Sequence, residues 1–109
     1  MGDTQKLGLD HIVEILKASG EPTRLRLLAL LAHGDLTVTD LTDILGQSQP
    51  RISRHLKLLA EAALVDRYQE GAWAFFRLSQ GGAAVALARQ LLDAADPADA
   101  VFARDDERL

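Results

Sequence analysis

The spacing of apolar residues along this chain predicts helices over most of its length. From Leu9 to Leu16, apolar side chains recur three and four positions apart, so a first helix is predicted from about residue 9 to 18. Pro22, a residue type favoured in a first helical turn, opens a second segment that is rich in leucine and ends at Gly34. So much leucine predicts that the second helix is buried at the centre of the domain.

Two further helices are predicted next, separated by a glycine. Thr37 or Thr39 is a suitable N-cap for a short third helix that ends at Gly46. Ser48 is the corresponding N-cap of a fourth helix of about 15 residues, with Pro50 in its first turn. One face of this fourth helix is apolar and comprises Ile52, Leu56, Leu59 and Ala63.

The pattern then changes from helical spacing to the alternation of strands. Residues 64–78, LVDRYQEGAWAFFRL, alternate on either side of Gly71, which predicts a β-hairpin with its turn at that glycine. Because a two-stranded ribbon is marginal by itself, Trp73, Phe75 and Phe76 are expected to pack it on the helices. After a Gly-Gly pair, the sequence AAVALARQLLDAA predicts a fifth helix that is apolar on nearly all sides.

A helix, a short helix, a glycine turn and a further helix, followed by a hairpin, is the order of a winged helix-turn-helix. The predicted fold class is therefore mainly α (α+β), with five helices and a two-stranded β-hairpin wing. Arginine binds guanine and glutamine binds adenine through paired hydrogen bonds, and a cationic helix face is attracted to DNA. The polar residues off the apolar face of the fourth helix are therefore DNA-binding candidates: Gln49, Arg51, Ser53, Arg54, His55 and Lys57.

Composition and charge narrow the classes of function. The chain has 109 residues, the length of one domain, and a formal net charge of -4. Residues 1–92 are electrically balanced, so the excess negative charge lies in residues 93–109. These are interpreted as a solvated end, with an interaction arm or the beginning of a longer segment as alternatives. Cysteine is absent, which excludes disulfides, thiolate metal sites and cysteine nucleophiles. No triad order, nucleophile elbow or phosphate-binding glycine loop is present, so we expect neither an enzyme nor a cofactor.

The organisation of the chain is expected to be simple. A winged helix-turn-helix domain for DNA binding and dimerisation is predicted over residues 1–95, and an acidic C-terminal tail or linker over residues 96–109. No apolar run approaches the roughly 20 residues of a membrane span, and the N-terminus lacks the order of a signal peptide. A cytoplasmic location without a membrane partner is expected.

A resemblance to a known family covers residues 16–78, which read LKASGEPTRLRLLALLAHGDLTVTDLTDILGQSQPRISRHLKLLAEAALVDRYQEGAWAFFRL. This stretch resembles the ArsR/SmtB family of winged-helix transcriptional repressors along its whole DNA-binding core. The resemblance implies a symmetric dimer formed by the first and last helices, and a fourth helix that reads the major groove of an operator. It places Gln49, Ser53 and Arg54 at base- and phosphate-contacting positions, with Arg51 and His55 as neighbours. The implied dimer residues are Ile12, Leu16, Val85, Leu87, Leu91 and Leu92.

The chain departs from this family at the family's metal sites. One such site places two thiolates in the third helix, in the motif Leu-Cys-Val-Cys-Asp-Leu, where this chain reads LTVTDL with Thr37 and Thr39. A hydroxyl is a poor ligand for a soft metal. A second site uses histidine and carboxylates on the last helix, where this chain offers Asp93, Asp96 and Asp99 but no histidine. No metal site is therefore expected.

Two smaller departures concern the end of the fourth helix and the wing. Ala63 stands where the family has glycine, at a position where a left-handed conformation is common, so a modest stability cost is expected. The hairpin tip, Glu70-Gly71-Ala72, lacks an arginine. Any wing contact with DNA is therefore expected from Arg67 or Arg77.

The expected function is that of a sequence-specific repressor, which binds a palindromic operator in double-stranded DNA as a homodimer. Release is expected from an unknown small-molecule effector that does not depend on thiols, because the chain has none. The alternative is an N-terminal regulatory module of a longer protein, such as an S-adenosylmethionine-dependent methyltransferase fusion. A winged helix used only for protein contacts is disfavoured by the cationic fourth helix.

Overall fold

The computed structural model describes residues 6–109, and over that range the chain forms six helices and a three-stranded sheet. In chain order the elements are α1 (Leu9–Ser19), α2 (Pro22–Leu31), β1 (Leu36–Thr37), α3 (Val38–Leu45), α4 (Gln49–Glu61), β2 (Val65–Glu70), β3 (Trp73–Leu78), α5 (Ala83–Asp93) and α6 (Ala100–Glu107). The predicted winged helix-turn-helix is confirmed, but the predicted number of five helices is wrong, because α6 is a sixth. Over the same range, no helix combines the length and apolar character needed to cross a bilayer.

Local sequence signals determine where these helices begin and end. The Glu21 side chain accepts a hydrogen bond from the first turn of α2. At the start of α3, Thr37 Oγ1 accepts from the Asp40 N–H at 3.1 Å, and the Asp40 carboxylate accepts from the Thr37 N–H at 3.0 Å. This reciprocal pair is a capping box, so Thr37 is the N-cap of α3. Gly46 ends α3 in the left-handed region, with φ of +67°.

The sheet contains the predicted hairpin and one additional strand. β2 and β3 pair in antiparallel fashion around Gly71, which has φ of +61°. β1 lies on the other edge of β3, where Leu36 pairs with Phe76 and Thr37 with Phe75. The predicted two-stranded wing is therefore corrected to a three-stranded sheet. A strand of two residues is too short to show the alternation from which strands are predicted.

The core is built around α2, which contacts α1, α4, α5, α6 and β3. Side chains of α2, α3 and α4 meet there, and the ones with no exposed surface include Leu27, Leu28, Leu41, Ile52, Leu56 and Leu59. This confirms the prediction of a buried, leucine-rich central helix. Burying one such side chain contributes about 1.5–3 kcal/mol, so these contacts fix how α4 sits on the core.

One strained backbone position connects α4 to the wing. Ala63 has φ of +63° and is the one non-glycine residue with positive φ in residues 6–109. Its N–H donates to the Ala60 carbonyl, and the Leu64 N–H donates to the Leu59 carbonyl. This pair of hydrogen bonds is the Schellman ending of a helix, which needs a left-handed residue at this point. The expected left-handed conformation of Ala63 is confirmed. Its predicted place on the apolar face of the fourth helix is wrong, because α4 ends at Glu61 and Ala63 is exposed.

α6 packs on α2 through a buried ion pair. Asp105 is 2% exposed, and its carboxylate accepts hydrogen bonds from Arg26 Nε at 2.8 Å and Arg26 Nη2 at 2.9 Å. The hydrogen bond with Asp105 raises the pKa of Arg26, against the opposing effect of burial. At the end of α6, Arg108 Nη1 donates to the Ile44 carbonyl in the last turn of α3, at 3.1 Å. The C-terminal helix therefore bridges α2 and α3.

This packing changes the interpretation of the acidic C-terminal segment. The interpretation of residues 93–109 as a solvated end is wrong for α6, because Asp105 is buried in an ion pair. Its partner lies 79 positions earlier in the chain, and local charge does not reveal such a distant pairing. The division into a domain over residues 1–95 and a tail or linker over residues 96–109 stays a prediction.

The strain at Ala63 leads to a first prediction. Replacing Ala63 with glycine should raise the free energy of unfolding by about 1 kcal/mol, because glycine adopts positive φ without the Cβ clash. Urea unfolding measures this change. Ala60→Gly, within α4, is the matched control and should lower the same quantity by about 0.5–1 kcal/mol. A loss of stability in Ala63→Gly would contradict the assignment of strain.

The ion pair of α6 leads to a second prediction. Asp105→Asn should lower the free energy of unfolding by about 2–3 kcal/mol, because the half-buried Arg26 guanidinium loses its counter-charge. Asp106→Asn is the control, since that side chain is 45% exposed and lies 3.3 Å from the exposed His33. We expect it to change stability by less than about 0.5 kcal/mol. Equal effects of the two variants in urea unfolding would show that the Arg26–Asp105 pair does not hold α6.

Candidate DNA interface

α4 is held against the core along one face, which turns the opposite face outward. Ile52, Leu56 and Leu59, spaced by a helical turn, have no exposed surface. α3 packs on α4 across the turn that begins at Gly46, which gives the two helices the arrangement of a helix-turn-helix. The buried face therefore determines which side chains of α4 reach solvent.

The outward face of α4 is cationic. Of the residues of this helix predicted to bind DNA, five are exposed and one is half-buried, namely Gln49, Arg51, Ser53, Arg54, Lys57 and, half-buried, His55. Glu61, the last residue of α4, is the single acidic side chain of the helix. The first three turns of α4 thus present positive charge without a neutralising carboxylate on the same helix.

Position around the helix separates these side chains into a centre and two flanks. At 100° per residue, Arg54 points most directly away from the buried face, and Lys57 and Ser53 lie toward one flank. Arg51 and His55, one turn apart, lie on the flank next to α2, where His55 contacts an α2 side chain. When a helix lies in a groove, the centre of its outer face meets base edges and its flanks meet the phosphates of the groove walls.

A glutamine in the turn between α3 and α4 attaches the turn to α2. Gln47 Nε2 donates to Thr23 Oγ1 at 3.0 Å, and Thr23 is 6% exposed. Sequence reasoning misses Gln47, because a glutamine in a predicted turn is usually solvated and nothing local distinguishes it. The hydrogen bond fixes the position of the turn, and with it the start of α4.

The contacts of His55 favour a neutral ring with its proton on the outer nitrogen. Arg24 Nη1 lies 3.2 Å from His55 Nδ1, and because arginine only donates, Nδ1 must accept. Glu21 Oε1 lies 4.0 Å from the same nitrogen. Burial lowers the pKa of His55, the Glu21 carboxylate opposes this effect, and the surrounding arginines add to the lowering. These groups share a pocket of about 220 Å³ lined by Glu21, Arg24, Arg51, Arg54, His55 and Leu58.

Arg24, which sequence reasoning misses, connects three helices. From α2, its Nε donates to the Ala18 carbonyl at 2.7 Å and its Nη2 to the Lys17 carbonyl at 3.3 Å, both in the last turn of α1. The same guanidinium reaches His55 on α4. No sequence signal indicates this role, because His55 is 31 positions away and Arg24 resembles any polar residue of an amphipathic helix.

The wing presents its two arginines differently. Arg67 is exposed, and its Nη2 donates to Gln69 Oε1 at 3.2 Å. Arg77 is half-buried, and its guanidinium carbon lies 4.9 Å from the centre of the Tyr68 ring. Because the cation–π contact holds Arg77 on the sheet, Arg67 is the more accessible of the two.

The aromatic residues of the wing only partly follow the prediction. Phe75 and Phe76 are half-buried, and Phe75 stacks on Tyr68 with 5.4 Å between the ring centres. The expectation for Trp73 is wrong, because this side chain is 58% exposed. Trp73 is the first residue of β3 and pairs with Glu70 next to the turn, so it lies at the end of the hairpin.

The predicted dimer residues lie along α1 and α5, which pack against each other. Leu16 is 46% exposed and Leu91 is 36% exposed, whereas three others are half-buried, namely Ile12, Leu87 and Leu92. A groove of about 880 Å³ is lined mainly by α5 and the glycines before it, together with Leu7 and with Ile12 of α1. Val85 is 3% exposed and packs in the chain's own core, so it offers almost no surface to a partner.

The threonines at the family's thiolate positions have a structural use. The Thr37 hydroxyl caps α3, and Thr39 is exposed in the first turn of the same helix. Within residues 6–109, no three histidine, aspartate or glutamate side chains come together as metal ligands.

The environment of His55 leads to a prediction about pH. The folded chain holds the pKa of His55 below its ordinary value, so the unfolded chain takes up this proton first as the pH falls. The full contribution of His55 to the free energy of unfolding is therefore present above the ordinary histidine pKa of about 6.5, and it is lost as the pH falls below that value. Urea unfolding at pH 7.5 and at lower pH should show a steeper loss for the unaltered chain than for His55→Asn. Identical pH dependence in both would contradict a neutral, half-buried His55.

Comparison with known protein sequences identifies relatives of this chain. The sequence model of the family described as "Bacterial regulatory protein, arsR family" matches residues 21–67, from the cap of α2 into β2. The uncharacterized HTH-type transcriptional regulator MJ1325 of Methanocaldococcus jannaschii is 47% identical over 68 residues, 62% of this chain and 76% of that protein. The arsenical resistance operon repressor of Escherichia coli is 44% identical over 68 residues, 62% of this chain and 58% of that protein.

A solved structure shows the same fold over most of the chain. It is the solution structure of the homodimeric winged helix-turn-helix DNA-binding domain of Mb0332 from Mycobacterium bovis, described as a possible ArsR-family transcriptional regulator. It matches with a TM-score of 0.71 and 28% identity, and the match covers 82% of each chain. Together with the exposed cationic helix of a winged helix-turn-helix, these similarities show that the chain belongs to the arsR family of bacterial regulatory proteins, which are DNA-binding transcriptional regulators and not enzymes.

Proposed function

We propose that this protein is a homodimeric repressor that inserts α4 of each copy into the major groove of a palindromic operator. The observation that carries this proposal is the outward cationic face of α4, which is fixed by three fully buried side chains on its opposite face. The chain as a whole has a formal charge of -4, so the positive face is local and marks one surface for DNA.

The proposed roles follow from the position of each side chain on the helix. Arg54 is at the centre of the outer face, where a guanidinium can bind the O6 and N7 atoms of guanine. Gln49 is near the N-terminus of α4, where its amide can bind adenine in the same two-point manner. Ser53 and Lys57 are suited to phosphate contacts, and Arg67 of the wing extends the same positive surface. Arg77 is the weakest candidate, because Tyr68 engages its guanidinium.

The dimer is proposed to form through α1 and α5. Leu9, Leu16 and Leu91 on these helices are exposed, and Ile12 and Leu87 line a groove that a second copy would cover. The similar Mb0332 domain is described as homodimeric, which supports the same arrangement here. Two copies related by a twofold axis would place two α4 helices about one turn of DNA apart, as a palindromic operator requires.

Regulation is proposed to occur through an effector that does not depend on thiols. The chain contains no cysteine, so a thiolate-bound metal, arsenite or persulfide signal is excluded. A small molecule that changes the angle between the two copies would separate the α4 helices from successive major grooves. The relatives described above are regulators and give no support to the alternative of a methyltransferase fusion.

The direct test is selection of bound sequences from randomised duplex DNA with the unaltered chain, followed by titration of the recovered duplex at several salt concentrations. A sequence-specific repressor should recover a palindrome and bind it with an affinity that falls steeply with salt. Recovery of unrelated sequences, with no dependence on salt, would reject DNA binding by α4.

The centre of the α4 face leads to a prediction for one side chain. Arg54→Ala should weaken binding to the recovered duplex by about 1–3 kcal/mol and relax the preference for one base pair, because a two-point contact is lost. Fluorescence anisotropy measures both effects. Arg104→Ala, which removes the same charge from the exposed surface of α6, is the control and should leave affinity nearly unchanged. The base-contact role is rejected by an Arg54→Ala variant that binds as tightly as the unaltered chain.

The α1–α5 surface leads to a prediction about assembly. Leu91→Glu should convert the dimer to a monomer, because a carboxylate would be buried without a partner at the proposed interface. Leu58→Glu on α4 is a closely matched control, since both leucines are 36% exposed and neither substitution disturbs a fully buried position. Sedimentation velocity distinguishes the two species. A Leu91→Glu chain that still sediments as a dimer would place the interface elsewhere.

A further inference from the structure

The contact between Arg24 and His55 has a chemical consequence for the outer edge of the imidazole. Arg24 donates to Nδ1, so a neutral ring must carry its hydrogen on Nε2. Within residues 6–109, Nε2 has no hydrogen-bond partner, and it is not among the buried polar atoms that lack one. The ring therefore keeps one free donor that solvent or a ligand can reach.

We propose that Arg24 is a positioning residue for DNA binding, which holds His55 as an uncharged donor whose Nε2–H meets a phosphate oxygen of the operator backbone. This inference rests on the proposed function, because it assigns a role on the same α4 surface. It assigns a role in DNA binding to Arg24 of α2 and the neutral Nε2–H tautomer to His55.

The position of His55 on α4 favours a phosphate over a base as its acceptor. His55 lies on the α2 flank of the helix, one turn from Arg51. The flanks of a helix in the major groove face the sugar-phosphate walls, and the base edges lie under the centre, where Arg54 points. Arg51 and Arg54 line the same pocket as His55, so the flank is positively charged even though the imidazole is neutral.

Burial favours the neutral ring most strongly, and of the charged groups around His55 all but one carboxylate add to this effect. From α2, Arg24 repels a proton on the ring and Glu21 attracts one; from α4, Arg51 and Arg54 repel it. The guanidinium of Arg24 cannot turn away freely, because it also donates to the carbonyls of Ala18 and Lys17 at the end of α1. The ring orientation is therefore coupled to α1, one of the two helices of the proposed dimer surface.

Nuclear magnetic resonance tests the state of the ring in the full chain without DNA. Long-range ¹H–¹⁵N spectra distinguish the two neutral tautomers from the imidazolium, and the signal of His55 is identified by its loss in His55→Asn. We expect the Nε2–H tautomer at pH 7. A predominant Nδ1–H tautomer or a protonated ring would overturn the proposal.

Two substitutions of His55 test the two ring nitrogens separately, because each keeps the hydrogen-bonding role of one nitrogen and removes that of the other. The amide of asparagine occupies the position of Nδ1, so His55→Asn keeps an acceptor for Arg24 and loses the outer donor. The amide of glutamine reaches the position of Nε2, so His55→Gln keeps an outer donor and loses the acceptor. We expect His55→Asn to bind the duplex selected with the unaltered chain about tenfold more weakly, which corresponds to roughly one hydrogen bond. His55→Gln should lose less, about threefold.

The salt dependence of binding distinguishes a neutral donor from a charged one. A cation bound to a phosphate releases counterions, so removing it lowers the slope of log affinity against log salt, whereas a neutral donor contributes nothing to that slope. We therefore expect His55→Asn to lower affinity at every salt concentration with an unchanged slope, and Lys57→Ala, which removes a proposed phosphate-contacting cation, to reduce the slope. A reduced slope in His55→Asn would mean a charged contact, and an unchanged affinity would mean no contact; either result overturns the proposal.

Arg24 itself is tested with Arg24→Lys, which keeps the positive charge but lacks the planar fork that reaches α1 and His55 together. We expect a mixture of His55 tautomers and an affinity several-fold lower, with the salt slope unchanged. If Arg24→Lys does not fold, the spectra and the two His55 variants still decide the matter. If the unaltered chain binds DNA and responds to Arg54→Ala but not to His55→Asn, this inference alone fails; if the unaltered chain does not bind DNA, the proposed function fails.

Discussion

The burial of one face of α4 against α2 and α3 is the interaction on which the rest of this structure depends. Ile52, Leu56 and Leu59 are fully enclosed, so α4 has one favourable rotation about its axis. A different rotation would expose these side chains and bury arginines, and both changes are strongly unfavourable. The cationic surface of the molecule is therefore a consequence of how the apolar core packs.

Hydrogen bonds between distant parts of the chain then fix the turn before α4 and the side chain of His55. Gln47 fixes the turn before α4 to α2, and Arg24 joins the end of α1 to His55. Each of these hydrogen bonds involves a half-buried or buried group, for which an unmade bond is costly. Arg24 connects α4 to α1, one of the two helices proposed to form the dimer, so a displacement of α1 would be transmitted to His55.

The acidic C-terminal segment shows how charge and packing interact. Most of its carboxylates are exposed, but Asp105 is enclosed and neutralises Arg26 on the central helix. α6 also reaches the end of α3 through Arg108. Part of the excess negative charge of the chain therefore stabilises the packing of α6 on α2.

The family resemblance implied the left-handed Ala63, whereas the sequence by itself determined the five main helices, the hairpin, and Ile52, Leu56 and Leu59 as the buried face of α4. These features depend on spacing, caps and glycine positions, which are local and can be recognised within a few residues. Only the tertiary structure decided the third strand, the docking of α6, the exposure of Trp73 and the roles of Arg24 and Gln47. The physical reason is that each of these depends on groups far apart in the chain. Contacts at such separations produce no periodic pattern of apolar and polar residues from which they could be predicted.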